Sequence, residues 1–346
     1  MILLKKTLLS KNEEIIMKQI KIGIIGLGSY AKVVAETINT IPDITIYAVA
    51  SRDIERAKIF AKEFNVLYAF GSYEELLANK EIDLVYIATT HNHHYENMIL
   101  ALKWDKNILC EKPFTINSSQ AEEIFSIARR KKLFVMEAMK FKFLPAIQET
   151  KKLIEFGEIG EIKSVFASRG YNYSDRFRAR FHKKEEQGGA LLRIGIYPIA
   201  FALTFLGASP KVIESVVSYS EDELDDNETI ILKYDNGTIA TLISSINCYL
   251  NEDAVISGTK GKIIIPDFFD SKEIILHKYK EFNRTDERKI FFKTDNNAIA
   301  TTFLYVADCL RNNKIYSDLH PANECIKAVY IMEQVKKRWD KNSEKY

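Results

Sequence analysis

The chain has 346 residues, 47% of them hydrophobic and 28% charged, which is room for two domains with full-sized cores. A net charge of +2 gives no electrostatic footprint for nucleic acid or an acidic partner. No apolar run is long enough to span a bilayer, and Cys110, Cys248, Cys309 and Cys325 are scattered without a C-x-x-C pair, which fits reduced thiols in a cytoplasmic protein.

Residues 1–16 stand apart. Met1-Ile-Leu-Leu is apolar but short, and Lys5-Lys6 follow it, whereas a secretory signal places its charge before a longer apolar region. Met17 directly precedes a natural opening for a first strand. The segment is expected to be a dispensable extension.

Residues 17–138 read as one domain in which strand and helix alternate. Ile20 to Ile25 is an apolar run that fits a strand buried on both faces. It leads into Gly26-x-Gly28-x-x-Ala31, and from Tyr30 to Ile38 the spacing becomes helical. Strand, glycine turn and helix form the context of a dinucleotide fingerprint. Gly26 permits the tight turn, Gly28 lets the backbone approach a pyrophosphate, and Ala31 lets the helix sit close on the strand. The helix start, with Ser29 and Tyr30, offers N–H groups to phosphates. A lone fingerprint also fits a turn with no ligand, so the following segments decide.

Ile44 to Ala50 is a second strand and Asp53 to Phe64 an amphipathic helix. Between them lies Ser51-Arg52, where enzymes that use NAD usually carry a carboxylate for the ribose 2′-hydroxyl. A hydroxyl and a guanidinium would instead bind a 2′-phosphate, so NADP(H) is expected over NAD(H). Asp53 is better placed as a helix N-cap, and a solvated Arg52 is the plainer alternative. Ser72-Tyr-Glu-Glu75 and Ser119-Gln-Ala-Glu122 read as capping boxes. Ile82 to Ala88, Asn107 to Cys110 and Leu133 to Met136 complete the strands, with a helix from His94 to Trp104. Repeated βα units of this length argue for a doubly wound parallel sheet, whose ligands sit beyond the carboxyl ends of the strands.

Two strand ends carry chemistry. Thr89-Thr90-His91-Asn92-His93-His94 invites a zinc reading, but no Cys or carboxylate accompanies it at ligand spacing, so no metal is expected. Glu111-Lys112-Pro113 is a charged pair stopped by proline. Lys112 could donate to a substrate oxygen.

From Met139 the pattern changes. Strands follow one another from Ile162 to about Lys293, with Asp235-Asn236-Gly237 as a hairpin turn, and helices enter at Ala190 to Leu206, Asn297 to Arg311 and Ala322 to Lys337. Residues 139–346 are therefore expected to form an α+β domain with an open, largely antiparallel sheet. Phe166, Tyr171, Tyr173, Phe177 and Phe181 include candidate cleft-wall aromatics, with core filling as the commoner role.

The fingerprint, the Ala50-Ser-Arg-Asp53 turn, the Ala88-Thr-x-His-x-x-His94 loop and above all Glu111-Lys112-Pro113 resemble the Gfo/Idh/MocA oxidoreductases. Met136-Glu-Ala138, Pro145-Ala and Gly188-Gly-Ala-Leu-Leu-x-Ile-Gly-Ile-Tyr197 are similar to the dimeric dihydrodiol dehydrogenase branch. The resemblance runs from about Ile20 to Trp339. It implies that Gly26, Gly28 and Ala31 hold the pyrophosphate, with Ser51 and Arg52 at the adenosine end. It implies that Thr89 and His91 pass the cofactor, that Glu111 contacts the nicotinamide ribose, and that Lys112 sits beside the substrate hydroxyl. His94 matches a recurrent family histidine, and Tyr197 falls where the family carries its catalytic Tyr or His. A small-molecule substrate and a dimer through a flat face of the second sheet are also implied.

Two departures stand out. The family usually has Asp four residues before the catalytic position, and this chain has Arg193; Lys142 stands where relatives often have Arg. On one helix, positions 193 and 197 would share a face. Arg193 and Lys112 would then favour anionic substrates, and an adjacent ammonium would lower the Tyr197 pKa. If Arg193 turned aside, it could pair with Glu185 or Glu186. The expected activity is an NADP-dependent hydride transfer on a sugar, polyol or related small hydroxy or carbonyl compound. The alternative is a cofactor-binding sensor that kept the fold and lost turnover.

Overall fold

The structure, a computed structural model, describes residues 18–173, 188–293 and 297–343, with side chains described to residue 339. Phe177, Phe181, His182, Glu185 and Glu186 lie outside the described residues.

The first sheet is built from six parallel strands in the order β3-β2-β1-β4-β5-β6. They are β1 Ile20–Ile25, β2 Ile44–Ala50, β3 Tyr68–Phe70, β4 Leu84–Ile87, β5 Asn107–Cys110 and β6 Val135–Glu137. The order reverses between β1 and β4, and the crevice at such a switch point is where doubly wound sheets bind ligands. Strands β1, β4 and β5 are buried almost throughout, which is why they read as continuous apolar runs. Helices α1 Ser29–Ile38, α2 Ile54–Phe64, α3 Tyr73–Ala78, α4 His94–Lys103 and α5 Ser118–Lys131 connect them.

Local chemistry sets the helix starts. Asp53 caps α2 by accepting from the Glu55 and Arg56 amides, and Ser72 caps α3 by accepting from Glu75 N. The expected box at Ser119 is displaced by two residues. Asn117 is the N-cap of α5, accepting from Gln120 N, and Ser119 Oγ donates to the same Asn117 Oδ1. An Asx side chain competes well for a helix start, so the box pattern alone misplaced it. Strand β3 and helix α6, Pro145–Glu155, have no counterpart in the expected elements.

The second sheet has eight strands in the order β14-β13-β12-β11-β7-β10-β9-β8. These are β7 Ile162–Gly170, β8 Val212–Tyr219, β9 Asp225–Lys233, β10 Ile239–Ser245, β11 Ala254–Gly258, β12 Gly261–Ile265, β13 Glu273–Lys280 and β14 Asn283–Phe291. Only the β7–β10 pair is parallel. One face packs on α7, Ile196–Leu206, which is buried along most of its length. The opposite face carries a continuous row across six strands: Ile231, Thr241, Phe166, Val255, Ile264 and Ile275 are neighbours in register.

The segment expected as one helix from Ala190 opens instead with a π-helical turn, Leu191–Gly195, before α7. Helix α8, Ala298–Arg311, follows the second sheet in sequence but packs on the first core. Phe303 meets Tyr86 edge-on at 5.4 Å, and Asn297 Nδ2 donates to Thr37 Oγ1. Helix α9, Ala322–Ser343, closes the chain.

Candidate active site

A cleft of about 820 Å³ opens at the carboxyl ends of β1, β2 and β4. Its walls include Gly26, Gly28, Ser51, Arg52, Arg56, Ala88, Thr89, Thr90 and His93. Gly26 has φ +91°, and a Cβ there would lie 2.6 Å from the Ala88 and Thr89 backbone, so only glycine makes this turn. Gly28 is the opposite case. Nothing lies within 4 Å of where its Cβ would be, so the missing side chain leaves open space at the head of α1. No side chain caps α1 and no acid occupies its first turn. The leading amides face that space unneutralised, which suits the pyrophosphate of a dinucleotide. Arg52 is exposed on the cleft wall, and Ser51 Oγ accepts from Asp53 N at 3.2 Å. Arg56, which sequence reasoning passed over, sits on the same wall with Nη2 donating to Leu27 O at 2.7 Å.

The β4 loop leads inward. Thr89 Oγ1 accepts from Asn97 Nδ2. His91 is largely buried, its Nε2 has no hydrogen-bond partner, and burial, aided by His94, Arg193 and Lys112, lowers its pKa to about 3. His94 does not line the cleft. It is buried, with Nδ1 2.9 Å from Pro113 O and Nε2 3.0 Å from Thr89 O, and so ties the β4 and β5 loops together. Its place among cofactor contacts is therefore corrected to a positioning role. Tyr30 lies with Tyr86, Glu111 and Lys140 around a small cavity beneath the fingerprint helix. Glu111 accepts from Tyr86 Oη at 2.7 Å, and burial raises its pKa.

Lys112 and Tyr197 meet. Lys112 Nζ lies 4.7 Å from the Tyr197 ring centroid and donates to Arg193 O at 2.5 Å. The π turn thus contributes a main-chain acceptor that an unbroken helix pattern did not anticipate. Burial lowers the Lys112 pKa to about 8; Glu111 opposes the shift, and Arg193 and Arg169 add to it. The mutual repulsion read from the sequence is present but is smaller than desolvation. For Tyr197 the expected direction was wrong. Its phenol is driven well above 10, because burial outweighs the neighbouring Arg169 guanidinium. Lys112, not Tyr197, is the group that titrates near neutral pH.

Arg169 completes this region, and sequence reasoning gave it no role. It is the second-last residue of β7, with its guanidinium 3.5 Å from the Phe269 ring centroid and 5.1 Å from that of Tyr197. Its place at the end of a strand, beside Gly170, was the available signal. Lys142, by contrast, leaves the site. It is fully buried and pairs with Glu324. Beside it, Glu137 accepts from Phe114 N at 2.9 Å and meets His320 Nε2 at 2.8 Å, within a buried Glu137–His320–Cys325 cluster. Lys142 is a structural ion pair, not a substrate contact.

Comparison with known proteins bears on this arrangement. Residues 20–139 match the oxidoreductase family GFO_IDH_MocA with its NAD-binding Rossmann fold, and residues 147–264 match the GFO/IDH/MocA C-terminal domain. The chain belongs to the GFO/IDH/MocA family. Trans-1,2-dihydrobenzene-1,2-diol dehydrogenase from Bos taurus is 33% identical over 296 residues, covering 84% of this chain and 88% of the relative. The Homo sapiens enzyme of that name is 31% identical, covering 91% and 95%. A 3-ketoreductase from Actinomadura kijaniata, solved with NADP and TDP-benzene, superposes with TM-score 0.81 at 25% identity, covering 92% and 98%. An aldose-aldose oxidoreductase from Caulobacter crescentus shares the fold with TM-score 0.83 at 19% identity, covering 94% and 98%. This GFO/IDH/MocA protein is an NAD(P)-dependent oxidoreductase acting on CH–OH groups. The comparisons lend no support to a regulator without turnover.

Proposed function

We propose that this protein is an NADP-dependent dehydrogenase or reductase of a sugar, polyol or related small hydroxy or carbonyl compound. The observation that carries the reading is the Lys112–Tyr197 pair just past the carboxyl end of β5, the neighbour of β4 in a sheet whose strand ends also form a cleft walled by Ser51 and Arg52. The names of the relatives, a trans-1,2-dihydrobenzene-1,2-diol dehydrogenase and a 3-ketoreductase, support a hydroxy or carbonyl substrate.

When bound, the nicotinamide supplies or accepts the hydride. The chain's own residues do the rest. Gly26, Gly28, Ser29 and Ala31 would hold the pyrophosphate, and Ser51 and Arg52 the adenosine end. Glu111 would hold the nicotinamide ribose, with Thr89 and His91 beside its path. Lys112 and Tyr197 hold the hydroxyl proton. The Tyr197 phenol donates a hydrogen bond to the substrate oxygen, and Lys112 exchanges the proton near pH 8. Arg193, where the family has Asp, sets a positive charge close to Lys112 and His91.

Oxidation of NADPH and reduction of NADP in the presence of sugars, diols and their carbonyl partners tests the activity. Cofactor choice has its own test. Fluorescence titration should show tighter binding of NADP than NAD, and Arg52→Ala should weaken NADP by about 1.5–3 kcal/mol while sparing NAD, the worth of a charge-assisted contact. A wild-type preference for NAD would overturn the assignment.

The same reading includes a homodimer. The row Ile231, Phe166, Val255, Ile264 and Ile275 gives the second sheet an apolar outer face that a second copy would cover. Light scattering should give twice the 39.8 kDa chain mass, and Ile264→Lys should return the monomer mass.

A further inference from the structure

Arg169 is 5% exposed, yet its Nε and Nη1 have no hydrogen-bond partner. Its Nη2 donates to Tyr171 Oη, which in turn donates to Glu252 Oε2 at 3.0 Å. Glu252 Oε1 forms a long ion pair with Nη1 at 3.7 Å, too far for a hydrogen bond, and has no hydrogen-bond partner among the described residues. Buried guanidinium groups normally spend their donors on carboxylates or carbonyls, so two idle nitrogens ask for an explanation.

The surroundings supply one. The guanidinium is fixed from the sides by aromatic rings, at 3.5 Å from Phe269, 5.0 Å from Tyr171 and 5.1 Å from Tyr197. Lys140 Nζ lies 3.9 Å from the same Phe269 ring, which adds a second cation. Lys112 and Arg169 both lie within about 5 Å of the Tyr197 ring centroid, so they are no more than about 10 Å apart. One small molecule can therefore touch the proton-handling pair and the guanidinium together.

We propose that Arg169 is a substrate-recognition residue whose idle donors take a carboxylate, so that the substrate is a small hydroxy or oxo acid such as a sugar acid. The proposal rests on the dehydrogenase reading above and narrows its substrate class. A carboxylate satisfies the buried N–H groups with charge-assisted bonds that a neutral hydroxyl cannot match. The aromatic packing holds the guanidinium in place before the substrate arrives, so little ordering cost remains.

The test compares matched pairs that differ in one carboxylate: D-glucuronate with D-glucose, D-glycerate with glycerol, D-lactate with propane-1,2-diol. Quenching of reduced-nicotinamide fluorescence in the NADPH-loaded protein reads binding, and kcat/KM reads turnover. In the wild type, at least one acid should exceed its neutral partner tenfold or more. Arg169→Gln should erase that ratio while the melting temperature and NADPH affinity hold, and Arg169→Lys should keep part of it. Should Arg169→Gln fail to fold, the wild-type ratios and Arg169→Lys still decide. If NADPH binds but no acid exceeds its partner, or the preference survives Arg169→Gln, the proposal is overturned while the dehydrogenase reading stands. If NADPH itself does not bind, that reading fails and the proposal with it.

Discussion

Lys112→Ala lowers kcat by about 10²–10⁴-fold while NADP affinity changes little, the usual worth of positioned acid–base assistance. The expectation rests on position and on ionisation. Lys112 Nζ lies over the Tyr197 ring and is anchored to Arg193 O, and its pKa of about 8 is near working pH. The pH dependence has a definite sign. Below about 8 the side chain is an ammonium and can give a proton, so carbonyl reduction should fall as pH rises through that value. Above it the amine is free to take a proton, so alcohol oxidation should rise over the same interval. Both limbs should vanish from the residual activity of Lys112→Ala.

Tyr197→Phe should also lower kcat, because the buried phenol stays protonated and can only donate. A Tyr197→Phe variant that turns over like wild type would leave Lys112 to work alone. His91 is a poor substitute, since burial keeps it neutral down to about pH 3. His182 lies outside the described residues. Stopped-flow and steady-state rates in both directions across pH 6–10 would check these outcomes.

Lys142→Ala destabilises the fold by about 3–5 kcal/mol, because removing one partner of a buried ion pair strands the other. Lys142 is fully buried against Glu324 on α9, and Gln148 Nε2 donates to its carbonyl at 2.5 Å. Burial lowers the Lys142 pKa, and the Glu324 carboxylate opposes that shift. Chemical denaturation should show the loss, while KM for substrate and NADP affinity in the folded fraction stay close to wild type. A rise in KM at unchanged stability would return Lys142 to the substrate site. Lys142→Arg, which restores the residue frequent in relatives, should recover much of the stability.

How far sequence reading reached follows from the range of each interaction. The β1 and β2 strands were legible to the residue, because their apolar runs end at glycine or polar punctuation. Helices α2 and α3 were legible because Asp53 and Ser72 cap amides two or three residues away. Strand β3 was missed because three residues are too few to show a period; helix α6 was legible but passed over, with Pro145 at its start and Ala146, Ile147, Thr150 and Leu153 on one face. The π turn was missed although Gly195 and Pro198, inside the span Ala190 to Leu206, are the residues that interrupt a regular helix.

The sequence by itself determined the doubly wound domain, the glycine turn, the strand-end placement of Lys112 and the family. All of these are written in short-range spacing. Only the tertiary structure decided the ionisation of Tyr197, since burial depends on which surfaces cover the ring and here exceeds the effect of its cations. It alone moved Lys142 out of the site, through a partner 182 positions away, and brought Arg169 in beside Tyr197 and Phe269. Those contacts join residues far apart in the chain. Local periodicity carries no record of them, because hydrogen bonds and desolvation act through space once the two sheets have packed.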